Sequence, residues 1–262
     1  MTKRMWFVSV IAGLILGVVT AFADNDSWFK PTNAFAVRSV DNILQSTLNS
    51  HTKWASVKGI AEYTMYDPEG NSAPQHFSTQ IELAQPAMLR LELLETPLKG
   101  GDDLWIIDGK NIFSVNGEQK KYSESKLPRF AQDFSKLPKT LGDVEQDFLY
   151  PHPFAMVIPS PVAEYLFPHW YAQARAEAVI TLVREDEILG RAAWVLDYTD
   201  GRNHTISWID QKTGVILKYF QEIEGRIFLE FEFTSLVFNV HIPAERFVLP
   251  DGLALVPNDP GQ

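Results

Sequence analysis

The 262-residue sequence contains no cysteine. This absence excludes disulfide bonds, thiolate catalysis, cysteine-ligated zinc and lipid attachment through a cysteine. Basic residues are also few, with 23 lysines and arginines against 33 acidic residues and a net charge of −10 at pH 7. Because neutralising phosphates requires a basic surface, the composition argues against a nucleic-acid partner.

Patterns that carry catalysis are scarce as well. No two of the six histidines have the spacing that presents a pair of metal ligands on one face of a helix or strand. Ser123 and Lys126 match a serine-x-x-lysine pattern, and Lys212-Thr213-Gly214 matches a second element of the serine β-lactamases, but the third element, Ser-Asp-Asn, is missing. We therefore predict no catalytic residues, no metal and no cofactor. A hydrolase remains a third alternative, which loss of a measured activity in Ser123→Ala would support.

Acidic residues are densest at Glu185-Asp186-Glu187, shortly before Gly190. Adjacent side chains of a strand point to opposite faces, so this run cannot converge on one substrate. Its simplest interpretation is a solvated turn.

The N-terminus has the three-part layout of a secretory signal. Lys3 and Arg4 precede an apolar stretch over residues 5–19, and the small residues Ala21 and Ala23 suit a signal peptidase. We predict a signal peptide over 1–23 and a single domain over 24–262 that works outside the cytoplasm, in the periplasm, at the cell surface or secreted. An uncleaved membrane anchor is the alternative, since a helix of about 20 residues can span a bilayer.

The hydrophobic period changes once along the chain. Apolar residues at helical spacing, Val37, Val40, Leu44 and Leu48, predict one amphipathic helix over about 35–53. Alternation with a period of two then predicts strands, separated by turn-forming residues. In the first half they cover 60–65, 77–83, 89–93, 102–107 and 112–115; in the second half they cover 179–184, 192–198, 205–210, 215–223 and 227–236.

The last predicted strand shows the alternation most clearly. Leu229, Phe231 and Phe233 fall on one face, and Glu230 and Glu232 fall on the other. About ten such strands in one sheet must curl strongly to cover their apolar face. We therefore predict a mainly β (α+β) fold, an unclosed and strongly curved antiparallel β-barrel with an N-terminal helix.

A proline-rich insert over about 122–175 lacks this alternation but holds many large apolar residues. Ser160 followed by Pro161 predicts a helix start, with a capping hydroxyl and a proline at the first helical position. An apolar insert must pack on something, so we predict that its short helices form a lid over the concave face of the sheet. The predicted lid residues are Val162, Tyr165, Leu166 and Trp170.

Aromatic residues are abundant, with 7 Trp, 17 Phe and 8 Tyr. Most of them fit an ordinary core, and the functional alternative is an apolar cavity for a lipid-like ligand. The residues predicted to line that cavity are Leu89, Leu91, Leu93, Trp208, Phe231 and Phe233.

Three stretches resemble the outer-membrane lipoprotein carrier (LolA/LolB-like) superfamily. They are Gln85-Pro86-Ala87-Met88-Leu89-Arg90-Leu91 with the Asp-Gly hairpin of 104–111, then 188–196 with Ser207-Trp208-Ile209-Asp210-Gln211-Lys212-Thr213-Gly214, and finally Phe247-Val248-Leu249-Pro250-Asp251-Gly252. The second stretch also resembles the anti-sigma-regulating RseB/MucB-like branch. The resemblance implies an unclosed barrel whose helices cover a cavity for acyl chains.

Two functions follow from this resemblance. The first is a non-enzymatic extracytoplasmic carrier or chaperone that holds lipid or lipoprotein acyl chains. The alternative is a regulatory module that binds an anti-sigma factor or another membrane protein. One position departs from the carriers, in which an arginine before the proline helps to hold the lid closed: here that position is Gln85, and Arg90 does not simply replace it.

Overall fold

The fold is built on one large sheet. The structure, a computed structural model, describes residues 34–97, 100–128, 137, 139–142, 161–175 and 178–256, with side chains of the first helix described from Val40 onward. The helices are α1 (Ala34–Leu48), α2 (Val162–Leu166) and α3 (His169–Ala174), with 3₁₀ turns at Ser50–Thr52 and Ala244–Phe247. The strands are β1 (Ser56–Met65), β2 (Gln75–Ala84), β3 (Met88–Glu95), β4 (Leu104–Asp108), β5 (Asn111–Asn116), β6 (Lys121–Lys126), β7 (Ile180–Ile188), β8 (Arg191–Asp200), β9 (Asn203–Asp210), β10 (Ile216–Ile223), β11 (Arg226–Phe238) and β12 (Ala254–Leu255).

The twelve strands follow the order β12-β6-β5-β4-β3-β2-β1-β11-β10-β9-β8-β7. Each half of the chain forms an antiparallel meander, and the first strand joins the halves by pairing with β11. The sheet is open, with β7 at one end and β12 at the other, and only β12 pairs in parallel among the described strands. The prediction of an unclosed, mainly β, antiparallel half-barrel is therefore confirmed.

One face of the sheet, called the inner face here, carries the main apolar core. Tyr63 in β1 lies between Phe77 in β2 and Phe231 in β11, and its ring stacks on Phe77 with centroids 4.6 Å apart. The same alternation places Ile81 and Leu91 opposite each other farther along the sheet. Strand alternation in both halves of the chain thus contributes to one continuous apolar surface.

A second apolar cluster, called the outer cluster, lies on the opposite face of β4 and β5. It contains Leu104, Ile106, Phe113 and Val115, and Phe247 from the C-terminal 3₁₀ turn completes it. The strand β12 extends this C-terminal cover by pairing with β6.

A buried carboxylate fastens the same cover. Glu82 in β2 is 2% exposed and accepts from Arg246 Nε at 2.6 Å and from Lys58 Nζ at 2.7 Å. The two cations compensate the charge of a carboxylate that water hardly reaches.

Two sequence predictions are wrong in this part of the fold. Residues 121–126 form β6, so the insert begins after Lys126 rather than near residue 122. Apart from Tyr122, which packs against the outer cluster, this strand is polar on both faces, so its pairing with β5 gives no alternation signal. The acidic run 185–187 lies inside β7 rather than in a turn, and the turn is formed by Leu189 and Gly190. An edge strand tolerates such charges because they are solvated there.

The predicted signal peptide and its anchor alternative lie outside the described residues. Within the described ranges, no helix combines the length and the apolar character that crossing a bilayer requires. The helix predicted over about 35–53 is observed as α1 followed by the turn Ser50–Thr52.

Candidate functional site

The two short helices of the insert cover the part of the inner face around Phe231, and α1 contributes Ile43 and Leu44 to the same core. In α2, the Tyr165 ring lies 4.7 Å from the Tyr219 ring and 4.5 Å from the Phe231 ring, measured between centroids. Phe231 in turn contacts Phe233 edge to face at 5.1 Å. A side chain of the insert therefore packs directly against the apolar centre of the sheet, as the lid prediction requires.

The second helix is tied to the sheet by a hydrogen bond. The Tyr171 hydroxyl of α3 bonds the Ser207 hydroxyl of β9, and both groups are buried. Burial raises the pKa of Tyr219 to about 12 and also raises those of Tyr165 and Tyr171. The three phenols therefore stay neutral at physiological pH, and they give this part of the face an apolar body with embedded hydroxyls.

Two glutamines connect α1 and α3 through the short segment 139–142. Gln45 in α1 donates to the Lys139 carbonyl at 2.7 Å and accepts from the Leu141 amide at 3.2 Å. Gln173 in α3 donates to the Thr140 carbonyl at 3.1 Å and accepts from the Gly142 amide at 3.0 Å. These side chains satisfy backbone groups that lack a partner within a regular helix or strand.

Gln85, the position that departs from the carriers, has a clear structural role. Its side-chain amide donates to the carbonyls of His51 and Trp54, both at 2.8 Å. The Trp54 ring lies 5.4 Å from the Phe167 ring, just after α2. Gln85 thus orders the turn that follows α1, beside the lid.

A buried histidine lies at the start of α3. Burial, together with charge repulsion from the nearby His51, lowers the pKa of His169 to about 3. The imidazole is therefore neutral at physiological pH and is part of the packed lid.

Five of the six predicted lining residues lie on the inner face. Leu89, Leu91, Phe231 and Phe233 are buried, and the partly buried Leu93 packs against the same core. They are brought together by the pairing of β1 with β2 and β11.

Trp208 is the exception, and its predicted orientation is wrong. It pairs with Lys218, which bonds Glu232 on the opposite face from Phe231 and Phe233. The Trp208 indole donates to Asp186 Oδ2 at 3.1 Å. The physical reason is that Ser207, not Trp208, faces inward, where Tyr171 satisfies its hydroxyl.

The predicted lid residues divide in a similar way. Val162, Tyr165 and Leu166 are buried, whereas Trp170 is 45% exposed. The helix begins one residue later than predicted, with Pro161 as the N-cap and Val162 as the first helical residue. Ser160, the predicted capping residue, lies outside the described residues.

Sequence reasoning missed Tyr171, Tyr219 and Arg175, although alternation in β10 gave a signal for Tyr219.

The structure separates the groups suggested for hydrolysis. Ser123 and Lys126 are three residues apart in β6 and so point to opposite faces. Lys126 donates to Asn111 at 2.8 Å, and Lys212 is exposed in a turn. Among the described residues, no group of three or more histidine, aspartate or glutamate side chains could hold a metal ion.

Together, the fold and the site define a curved, open antiparallel sheet whose apolar face is covered by short helices. No protein-family model matches the chain, and no curated protein matches its sequence.

Solved structures with a similar arrangement include MucB, with 17% identity, 83% of this chain and 66% of that chain covered, and a TM-score of 0.45. An uncharacterized conserved protein from Thermus thermophilus has 11% identity, 83% and 98% coverage, and a TM-score of 0.45. A LolA superfamily protein from Nitrosomonas europaea has 11% identity, 79% and 96% coverage, and a TM-score of 0.33.

Proposed function

We propose that this protein is a non-enzymatic extracytoplasmic binding protein that holds lipid or lipoprotein acyl chains between the inner face and the lid, as a carrier or chaperone. The observation that carries this proposal is the position of Tyr165. Its ring lies against Tyr219 and Phe231, where the lid meets the apolar centre of the sheet. Each methylene of an acyl chain buried there contributes about 0.8 kcal/mol.

In this proposal the structure is the closed form, with the Tyr165 ring against the sheet. An acyl chain takes the place of the Tyr165 ring, and the lid moves away from the sheet to admit it. The lid is suited to such a movement because α2 and α3 have only five and six residues. Helices this short depend on their packing rather than on their own stability.

The second candidate is the regulatory module that binds an anti-sigma factor or another membrane protein. The open edge of the sheet favours it, since β7 pairs only with β8 among the described strands. Val183 in β7 and Val179, just before the strand begins, are exposed. A strand of a partner can add to such an edge through backbone hydrogen bonds.

Native mass spectrometry tests the first proposal. The protein is purified without residues 1–23, the predicted signal peptide, stripped of lipid under mild conditions, and titrated with myristate. We expect an added mass of one fatty acid and a higher thermal midpoint, because ligand that binds only the folded state stabilises it. A preparation that carries no lipid on purification and shows neither change contradicts the proposal.

Pull-down with the edge of β7 altered separates the second candidate. Replacing Val183 with lysine blocks strand addition by placing a charge at the edge, and leaves the inner face unaltered. Capture of an exported membrane-protein segment by the wild type, lost in this variant, supports the regulatory module. Capture that persists in the variant contradicts an edge-strand interface.

A further inference from the structure

Arg175, at the end of α3, lies at the margin of the inner face with no carboxylate at ion-pair distance among the described residues. Of the seven arginines whose side chains are described, five lie within 4.0 Å of a carboxylate: Arg90, Arg184, Arg191, Arg202 and Arg246. Arg226 is exposed and donates to a backbone carbonyl. Arg175 is partly buried, and its Nε is a buried donor with no hydrogen-bond partner in the described part of the chain. A buried donor on a charged group is costly to leave unpaired.

The guanidinium is held in place by two aromatic rings. Its Cζ lies 4.0 Å from the Tyr171 ring centroid and 5.2 Å from the Tyr198 ring centroid. Stacking uses the faces of the guanidinium and leaves its edge available for a bidentate anion. Its hydrogen bond to the Tyr171 carbonyl is a long one, 3.4 Å from Nη1.

The Tyr171 ring connects Arg175 to the apolar centre of the sheet. Tyr171 contacts Tyr219 at 6.5 Å, Tyr219 contacts Tyr165 at 4.7 Å, and Tyr165 contacts Phe231 at 4.5 Å. A row of aromatic side chains thus runs from the cation into the region proposed for the acyl chain.

Two acidic groups, Glu164 and Asp200, lie in this neighbourhood. Glu164 and Asp200 act on the surrounding tyrosines, but neither forms an ion pair with Arg175 in the described ranges. Burial raises the pKa of Tyr198 to about 12, and the charge of Arg175 acts in the opposite direction on it. The positive charge therefore faces neutral phenols.

We propose that Arg175 binds the anionic head group of the acyl ligand, a carboxylate or a phosphate, while the chain extends along the aromatic row. This inference rests on the proposed function and makes it more specific, because it assigns the ligand class as amphiphiles with an anionic head. The guanidinium edge gives both head groups a bidentate partner.

The test compares three amphiphiles that share one myristoyl chain: myristate, myristoyl lysophosphatidic acid and the neutral monomyristoylglycerol. Dissociation constants are measured by calorimetry for the wild type, Arg175→Gln and Arg175→Lys at pH 8. We expect Arg175→Gln to weaken at least one anionic ligand by about tenfold, the effect of losing a charge-assisted hydrogen bond, and Arg175→Lys to recover part of it. The anion with the larger loss identifies the head group.

The controls separate the head group from the chain. Monomyristoylglycerol is expected to bind the wild type and Arg175→Gln alike, and Arg226→Gln, which removes an exposed arginine, is expected to change neither ligand class. If all three amphiphiles weaken equally in Arg175→Gln, or none does, the head-group assignment is wrong while the acyl-binding function stands. If no amphiphile binds the wild type, the assignment fails together with the proposed function.

Discussion

The sheet has apolar residues on both faces, but the two faces are covered in different ways. The outer cluster is closed by a C-terminal segment that inserts Phe247, pairs β12 with β6 and joins Arg246 to the buried Glu82. The inner face is covered partly by α1, whose Ile43 and Leu44 belong to the same core, and around Phe231 by two short helices that contribute Tyr165 and one hydrogen bond from Tyr171.

The difference indicates that the inner face is the better candidate for a binding site. A cover that adds backbone pairing and a buried ion pair is part of the folded structure. A cover made of short helices and aromatic rings can open at lower cost, as binding elements must. We expect changes in the outer cover to affect stability alone, and changes in the lid to affect stability and acyl binding together.

The largest expected effect is on the outer cover. Phe247→Ala removes a buried ring that fills the outer cluster, and we expect the free energy of unfolding to fall by about 4 kcal/mol, because the cavity adds to the lost burial. Urea unfolding monitored by circular dichroism measures the change. The neighbouring Val248→Ala is the control, since Val248 is exposed and its truncation costs little.

The same variant tests the comparison itself. Myristate binding by folded Phe247→Ala is expected to match the wild type. A loss of binding that follows the loss of stability would show that the two faces are not independent.

Tyr165→Ala is the matching change in the lid. The ring is buried against the sheet, so we expect a loss of about 3 kcal/mol in urea unfolding. Because the ring occupies the place of the ligand, the variant should also bind myristate more tightly than the wild type. Trp170→Ala, in the exposed part of the lid, is expected to alter neither quantity. Weaker binding in Tyr165→Ala would contradict the closed-form interpretation.

The smallest effect concerns the ion pair of the outer cover. Burial raises the pKa of Glu82, but Arg246 and Lys58 together lower it below its ordinary value of 4.5. The folded state therefore favours the carboxylate, and the resulting stability is present above the unfolded pKa and lost as the pH falls through the folded pKa.

Glu82→Gln removes this contribution. We expect a loss of about 2 kcal/mol at pH 7, below the range for fully buried pairs because Lys58 and Arg246 are 56% and 41% exposed. The difference between variant and wild type should shrink as urea unfolding is repeated toward pH 3. Glu224→Gln, which breaks an exposed pair with Arg202, is the control. A difference that persists unchanged at pH 3 would rule out the charge as its origin.

Much of the site was accessible from alternation, and the failures have physical causes. In β11 the inward residues are Phe231 and Phe233 and the outward ones are acidic, so hydropathy indicates the correct face. In β9 the inward residues are Thr205, Ser207 and Ile209, and because two of the three are polar, hydropathy pointed to Trp208 instead. Those hydroxyls are satisfied by Tyr171 of α3 and by Tyr219 of the neighbouring strand, and the pattern within β9 does not reveal these partners.

The sequence by itself determined the fold class, because the period of two is a local property of each strand and repeats in both halves of the chain. It also determined that the insert between them must pack on apolar surface. Only the tertiary structure decided that β1 joins the halves through β11, and that Arg175 stacks on Tyr198 beside the inner face. Strand partners and stacked rings depend on contacts between residues far apart in the chain, and no local pattern specifies which distant groups will meet.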